Sequence, residues 1–458
     1  MYIKKLFGWC LKLNEFLCVL GVSQRHLCVK WQLKRRGRRD TRREFQIKTL
    51  LVFACAVLVC VSFQSQSQTT APARRIVIAA STILDGKGGV LKNTRIVVEG
   101  AKIVAIDPKA SPVDYDLRGL TVLPGWIDAH THITWSFGKD GKNAGPGEST
   151  PDAAFRSAAN AWATLMAGFT TIQSIGSPND LPLRDAIARG ELPGPRILTA
   201  VEPLFGRGEQ TGTPDQVRAF IRKQKENGAD VIKIFASESI RQGGGLTLSQ
   251  EQLNAACDEA KKVGLRTVVH AYKDAVRAAT LAGCTQIEHG TLATDDDLKL
   301  MAAKGTYLDP QAGLVIENYL RNKERYLGTP GYTEAGFAAM EEILPMNHDL
   351  VQRASRIPNL KIVFGTDAVA GSHGYNAEEF IDRVRDARVD PLTAMISANS
   401  LGAEALGLGD QIGTIAKGFQ ADIIALDGDP VADITAVRRV VFVMKSGIVY
   451  KNTARKIN

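Results

Sequence analysis

PGWIDAHTH, Pro124 to His132, is the stretch on which the reading of this chain turns. Gly125–Ala129 reads as a buried strand, and the histidines that follow it, His130 and His132, are two residues apart. On a strand that spacing points both rings to one side. Working outward, seven more short apolar segments follow, at Thr170–Gln173, Arg196–Ala200, Val231–Ile234, Thr267–Val269, Thr285–Glu288, Thr306–Leu308 and Lys361–Phe364. Amphipathic stretches lie between them, at Asp152–Ala167, Pro214–Asn227 and Leu248–Val263, the last with Thr247 as its expected N-cap. Eight such units suit an α/β fold with a closed parallel (β/α)8 barrel, the TIM barrel, better than an open sheet. No phosphate-cradling Gly-rich loop follows any strand, so no nucleotide cofactor is expected. Gly243-Gly244-Gly245, after the fourth strand, reads as a mobile lid or as a plain surface loop.

Barrel folds carry their chemistry at the C-terminal ends of the strands. His130 and His132 end the first, His270 the fifth, and His289 the sixth, in Ile287-Glu288-His289-Gly290. Asp367 ends the eighth, in Phe364-Gly365-Thr366-Asp367-Ala368. Singly, a histidine beside a strand is an ordinary core residue, and Asp367 could cap a helix. Five such residues at the ends of the correct strands are hard to explain by packing and suit metal ligation. Lys233, in Asp230-Val231-Ile232-Lys233-Ile234-Phe235, lies in a strand buried on both sides. Desolvation there would push its amine toward neutrality. A neutral amine can take up carbon dioxide as a carbamate, an anionic ligand able to bridge two cations. The plainer alternative is a lysine that snorkels out or pairs with Asp367. Charge balance favours the carbamate, because two divalent ions beside Asp367 and neutral imidazoles would otherwise leave the site over-positive.

The flanks differ from the middle. Arg75–Ala80, Thr94–Glu99 and Lys102–Ile106 read as short strands, and so do Asp422–Leu426, Val440–Lys445 and Ile448–Tyr450, the last after a Ser446-Gly447 turn. Two β-rich ends around one α/β middle predict a β-sandwich domain from residues 74–122 and 410–458, flanking a barrel over 123–409. Before them lies a leader, 1–67. Its uncharged run Leu50–Phe63 is short for a membrane span and is followed by small polar residues, the layout of a secretory signal cleaved near residue 67. An uncleaved anchor is the alternative, and residues 1–47 look out of place before a signal. On the signal reading the protein is exported, periplasmic or secreted, with no stable membrane association after cleavage.

The 458 residues, 45% apolar and 23% charged, are ordinary for a soluble enzyme. The net charge of +9 is misleading. Residues 1–75 hold 15 Lys/Arg against 3 Asp/Glu, so the remainder is left at about −3. That balance offers no basic patch for a nucleic acid. Of seven cysteines only Cys257 and Cys284 lie outside the leader. They form no disulfide framework and no zinc-knuckle pattern, and are expected to be core residues.

These residues resemble the amidohydrolase superfamily, over about residues 74–451. Within it the chain is similar to the imidazolonepropionase-like branch of metal-dependent amidohydrolases, which contains Xaa-Pro and Xaa-Arg/Lys dipeptidases and ochratoxin-type amidases. Gly168-Phe169-Thr170-Thr171, Gly194-Pro195-Arg196, Gly228-Ala229-Asp230, His373-Gly374-Tyr375-Asn376-Ala377-Glu378-Glu379 and Gly413-Thr414-Ile415 also match. The resemblance implies two zinc-like ions: a buried one on His130, His132 and Asp367, and an exposed one on His270 and His289, with carboxylated Lys233 between them. Asp367 would then shuttle the proton from the attacking water to the leaving amine. Imidazolonepropionases proper and the mononuclear deaminases lack that lysine. Two departures bear on specificity: Gln173-Ser174 where an Arg-Asp pair is common, and Leu308-Asp309-Pro310 in place of Pro-Thr. Both are expected beside the substrate.

The function implied is hydrolysis of an amide before a C-terminal amino acid, in a dipeptide or an N-acyl or ochratoxin-type amide. Alternatives are a cyclic amide, lactone or ester on the same site, or a catalytically silent binding protein. Tyr272 is a candidate donor to the substrate carboxylate, or an ordinary rim aromatic. His373 is another, or a loop-structural residue. His348, in an expected helix, reads as surface. Homo-oligomerisation is expected by resemblance alone.

Overall fold

The computed structural model describes residues 74–145, 151–208 and 211–454. The expected signal, its cleavage point and the rest of the leader lie outside the described residues. Chain order begins with β1 (Arg75–Leu84), β2 (Val90–Glu99), β3 (Lys102–Ile106), β4 (Tyr115–Asp116) and β5 (Thr121–Pro124). It ends with β15 (Ile423–Leu426), β16 (Val440–Lys445) and β17 (Ile448–Asn452). These join in one mixed sheet of eight strands, ordered β17-β16-β15-β5-β1-β2-β3 with β4 on β1. The join is β15 lying antiparallel on β5, Ile424 opposite Leu123. The two ends of the chain therefore share a sheet, as their texture predicts. Among the described residues it is a single sheet in one compact unit with the rest, where two facing layers were expected.

The middle alternates strands and helices: β6 (Trp126–Thr131), α1 (Pro151–Met166), β7 (Phe169–Ser174), α2 (Asp180–Ala188), β8 (Arg196–Thr199), β9 (Leu204–Phe205), α3 (Pro214–Glu226) and β10 (Val231–Phe235). It continues with α4 (Gln250–Lys262), β11 (Arg266–Ala271), α5 (Asp274–Leu281), β12 (Gln286–His289), α6 (Asp295–Lys304) and β13 (Tyr307–Asp309). After these come α7 (Leu314–Arg321), α8 (Glu334–Ala354) and β14 (Lys361–Ile362). The named strands of this region pair in parallel throughout, in two sheets, β6-β7-β8 and β14-β13-β12-β11-β10-β9. Strands such as β6 and β12 are buried along their whole length, which is why they read as apolar runs without alternation. Backbone hydrogen bonds also link the two sheets, from Asp230 N to Thr199 O (2.8 Å) and from Ala129 N to Phe364 O (2.8 Å).

Each of the eight expected strands is present, the last shortened to Lys361–Ile362. The cap of α4 is corrected. Ser249 caps it, reciprocally with Gln252, whereas the Thr247 hydroxyl turns back to the Phe235 carbonyl. Cys257 and Cys284 are core residues as expected, but they are joined in a disulfide with Cα atoms 5.2 Å apart. Only 27 residues separate them, and the α4–β11–α5 excursion folds back so that their side chains meet. Spacing alone carries no sign of that return.

Candidate functional site

All five rim residues and Lys233 line one cavity of about 340 Å³ at the C-terminal ends of the middle strands. The rings of His130 and His132 lie 5.5 Å apart, those of His130 and His289 5.4 Å, and those of His270 and His289 4.6 Å. Asp367 Oδ1 stands 3.2 Å from His130 Nε2 and 3.1 Å from His132 Nε2. His289 and Asp367 both have left-handed backbone, φ 66° and 51°. Such a conformation costs a side-chain-bearing residue about 1 kcal/mol or more and concentrates at functional sites.

Burial and neighbours set the charge states. Desolvation pushes His132 and His289 down and brings His270 to about 3, so these rings are neutral and keep a lone pair for a cation. His270 donates Nε2–H to the Glu238 carbonyl (3.2 Å), leaving Nδ1 as its lone-pair nitrogen. Burial alone would raise Asp367, but His130 and His132 hold it well below the usual carboxylate range. Desolvation lowers the Lys233 ammonium against the pull of Glu288 and Asp367, as its place in a doubly buried strand predicts. Its Nζ lies 5.0 Å from the centre of the Phe235 ring.

Beneath this layer is a buried polar network that the sequence did not reveal. His130 Nδ1 donates to Glu288 Oε2 at 2.5 Å, which fixes the tautomer and turns Nε2 toward Asp367. Gln286 donates to the other Glu288 oxygen at 2.8 Å. Asp309 is held protonated by burial and by the negative charge of Glu288, while His130 keeps Glu288 ionised against its own burial. Asp128, within PGWIDAHTH, accepts from the Thr366 hydroxyl (2.6 Å), the Thr366 N–H (3.0 Å) and Asn376 (2.8 Å). It thereby anchors the turn that presents Asp367. A Glu or Asp one or two residues before a ligand histidine is the signal that could have revealed both.

Of the two departures expected beside the substrate, Gln173 and Asp309 lie below the cavity, while Pro310 lines it. Gln173 is fully buried, donates to the Ala129 carbonyl (2.9 Å) and accepts from Arg266 (2.9 Å). Asp309 is also fully buried and packs so tightly on Gly365 that a Cβ there would sit 1.9 Å from its carboxylate. Pro310, the last residue of the Leu308-Asp309-Pro310 stretch, and Gln311 after it reach the cavity. Tyr272 lines the cavity, stacked on His289 at 5.1 Å. His373 does not line it. Its Nε2 donates to the Trp135 carbonyl (3.0 Å), and the Trp135 ring in turn packs at a tilt on His132, centroids 4.3 Å apart. His348 is half-buried in α8 rather than at the surface. The triple glycine ends a loop over the cavity, in which Ser239 caps a single 3-10 turn, Ile240–Gln242, closed by Gly243 at φ 99°.

The donor set suits a cation. Ligand atoms of His130, His132 and Asp367 lie within 4.8 Å of one another, and His132 Nδ1 is a buried nitrogen with no partner among the described residues.

Residues 121–449 match the Amidohydrolase family, and the chain belongs to that family: it is a hydrolase acting on carbon–nitrogen bonds. It is 24% identical to the ochratoxinase of Aspergillus niger, over 84% of this chain and 88% of that one. Among solved structures it is similar to a Xaa-Pro dipeptidase with methionine bound in its active site, at 29% identity and a TM-score of 0.74, covering 83% of this chain and all of the other. A prolidase in complex with N-methylphosphonate-L-proline is 26% identical with the same TM-score and coverage.

Proposed function

We propose that this chain is an exported, binuclear zinc amidohydrolase that cleaves the amide before a C-terminal amino acid, in dipeptides or N-acyl amino acids. The observation that carries the proposal is the convergence of four imidazoles, Asp367 and the Lys233 amine on one cavity. On this reading the eight middle strands close into a (β/α)8 barrel, with the chain ends forming a small β domain beside it. The Ala129–Phe364 and Asp230–Thr199 hydrogen bonds support that closure. Export is supported by the Cys257–Cys284 disulfide, a bond that persists in oxidising compartments.

His130, His132 and Asp367 would hold one ion, His270 and His289 the other, with Lys233 as a carbamate between them. Two such ions would acidify a water and polarise the scissile carbonyl. The protein's own part is to orient, exclude water and move a proton. Asp367, ionised by its histidine neighbours, accepts the water proton on its carboxylate and passes it to the leaving nitrogen. Glu288 keeps the His130 ring from turning. Burial keeps the Tyr272 phenol protonated, so it can donate to the bound substrate. Trp135, Phe235 and Tyr319 give the cavity apolar walls that favour an organic side chain over bulk water.

The test combines metal analysis with a panel of dipeptides and N-acyl amino acids. About two equivalents of zinc and chelator-sensitive release of free amino acid are expected. Less than one equivalent of metal, with no turnover across the panel, would refute the proposal.

A further inference from the structure

Resting on the amino-acid-releasing function proposed above, we infer that Arg241 is the specificity residue that grips the substrate's terminal carboxylate, so the preferred substrates are free acids with a bulky apolar or aromatic C-terminal residue. Arg241 sits in the 3-10 turn after β10 and lines the cavity that holds the histidines. Its guanidinium lies 4.3 Å from the ring centre of Tyr332 and 5.6 Å from that of Tyr319, and Nε–H donates to the Gly331 carbonyl at 3.1 Å. Two aromatic faces and one carbonyl fix its plane. Among the described residues it forms no ion pair with any Asp or Glu. Glu238, the nearest acid along the chain, is exposed and not paired with it.

A half-buried guanidinium has five N–H donors; among the described residues one goes to the Gly331 carbonyl and the Tyr332 hydroxyl is within reach of another, which leaves donors to spare. An unpaired cation against aromatic walls has lost part of its hydration without a counter-ion. The group that restores the balance is a planar anion with two acceptors, which is a carboxylate. Phosphate would also fit the fork, but the surrounding Ile343, Met340 and Val315 suit an apolar side chain next to the charge. The same residue distinguishes a C-terminal acid from its amide or ester, since neither of those neutral groups pairs with the cation.

The experiment measures binding, by calorimetry, of 3-phenylpropionate and 3-phenyl-1-propanol to the metal-loaded protein and to R241Q and R241K. Neither probe has a scissile amide, so the result is independent of whether the proposed hydrolysis occurs. The wild type is expected to bind the acid at least about tenfold more tightly than the alcohol. R241Q should reduce that preference to about twofold or less while leaving alcohol binding unchanged. R241K, which keeps the charge but not the fork, should fall between. If the wild type shows no preference, the inference is overturned. If R241Q keeps the preference, the carboxylate sits on the histidine centre and the inference is again overturned. Loss of acid and alcohol binding alike in both variants would make Arg241 a loop strap rather than a recognition group, which overturns it equally.

Discussion

Removing the Cys257–Cys284 link should cost a large share of the fold's stability, and its size can be worked out from the chain. The bond closes a loop of 27 residues, for which the chain-entropy relation gives about 12 cal/mol/K, or about 3.5 kcal/mol at 25 °C. Replacing both cysteines by alanine leaves only a small void, because each side chain contributes one sulfur to a core that already buries it. The loss should therefore appear as unfolded-state freedom. Peptide mapping after alkylation without reductant should recover the two cysteines linked. Urea unfolding of the C257A/C284A variant should show a lower midpoint with an unchanged spectrum in buffer. The link clasps α4 to the turn before β12, and so brackets β11, the strand that ends in His270. A milder secondary effect on metal retention is expected for that reason. Recovery of both thiols alkylated, or identical unfolding of variant and wild type, would refute this reasoning.

Three further outcomes are expected. Glu288→Gln keeps the shape of the carboxylate that orients His130 but sets its new amide against the Gln286 donor, so zinc affinity by chelator competition should fall about 10- to 100-fold; an unchanged affinity would show that the ring is held by other means. On the proposed roles Asp367→Asn would remove both a ligand and the proton carrier, and kcat on the best amide should drop by at least about 100-fold, with retained turnover pointing to another base. For Lys233, wild type grown with labelled bicarbonate should show a carbamate carbon resonance that is absent in Lys233→Ala, whose activity short-chain acids should partly restore. A wild-type spectrum without that resonance would return Lys233 to an ordinary buried amine.

What could be read in the sequence was whatever obeys a local period. His130 and His132 share a side because strands alternate, and the β12 histidine was found because an apolar run stops there. The same reasoning located Lys233, since a cation within VIKIF has no water on either face. Contacts made by chain return left no such mark. Glu288 reads as part of a strand end and Asp309 as a substrate neighbour, because their partners lie far away in sequence. His373, on the loop after Asp367, reads either as a carboxylate donor or as a loop-structural residue, and its imidazole goes to the Trp135 carbonyl, the second of these. The pairing of the two core cysteines goes unread for a related reason: helix, strand and helix bring the chain back on itself, and composition does not count crossings.

The antiparallel seam between β5 and β15 joins residues 121–124 to 423–426. Strand β5 runs directly into β6 and its histidines, so the segment that carries them is braced by a strand made much later in the chain. A nascent chain that stops before residues 423–426 has an open hydrogen-bonding edge there, and the strand that carries His130 and His132 is left without that support. Termination before β15 should thus give aggregation-prone protein rather than a working core, and closure of this sheet waits on synthesis of residues 423–426.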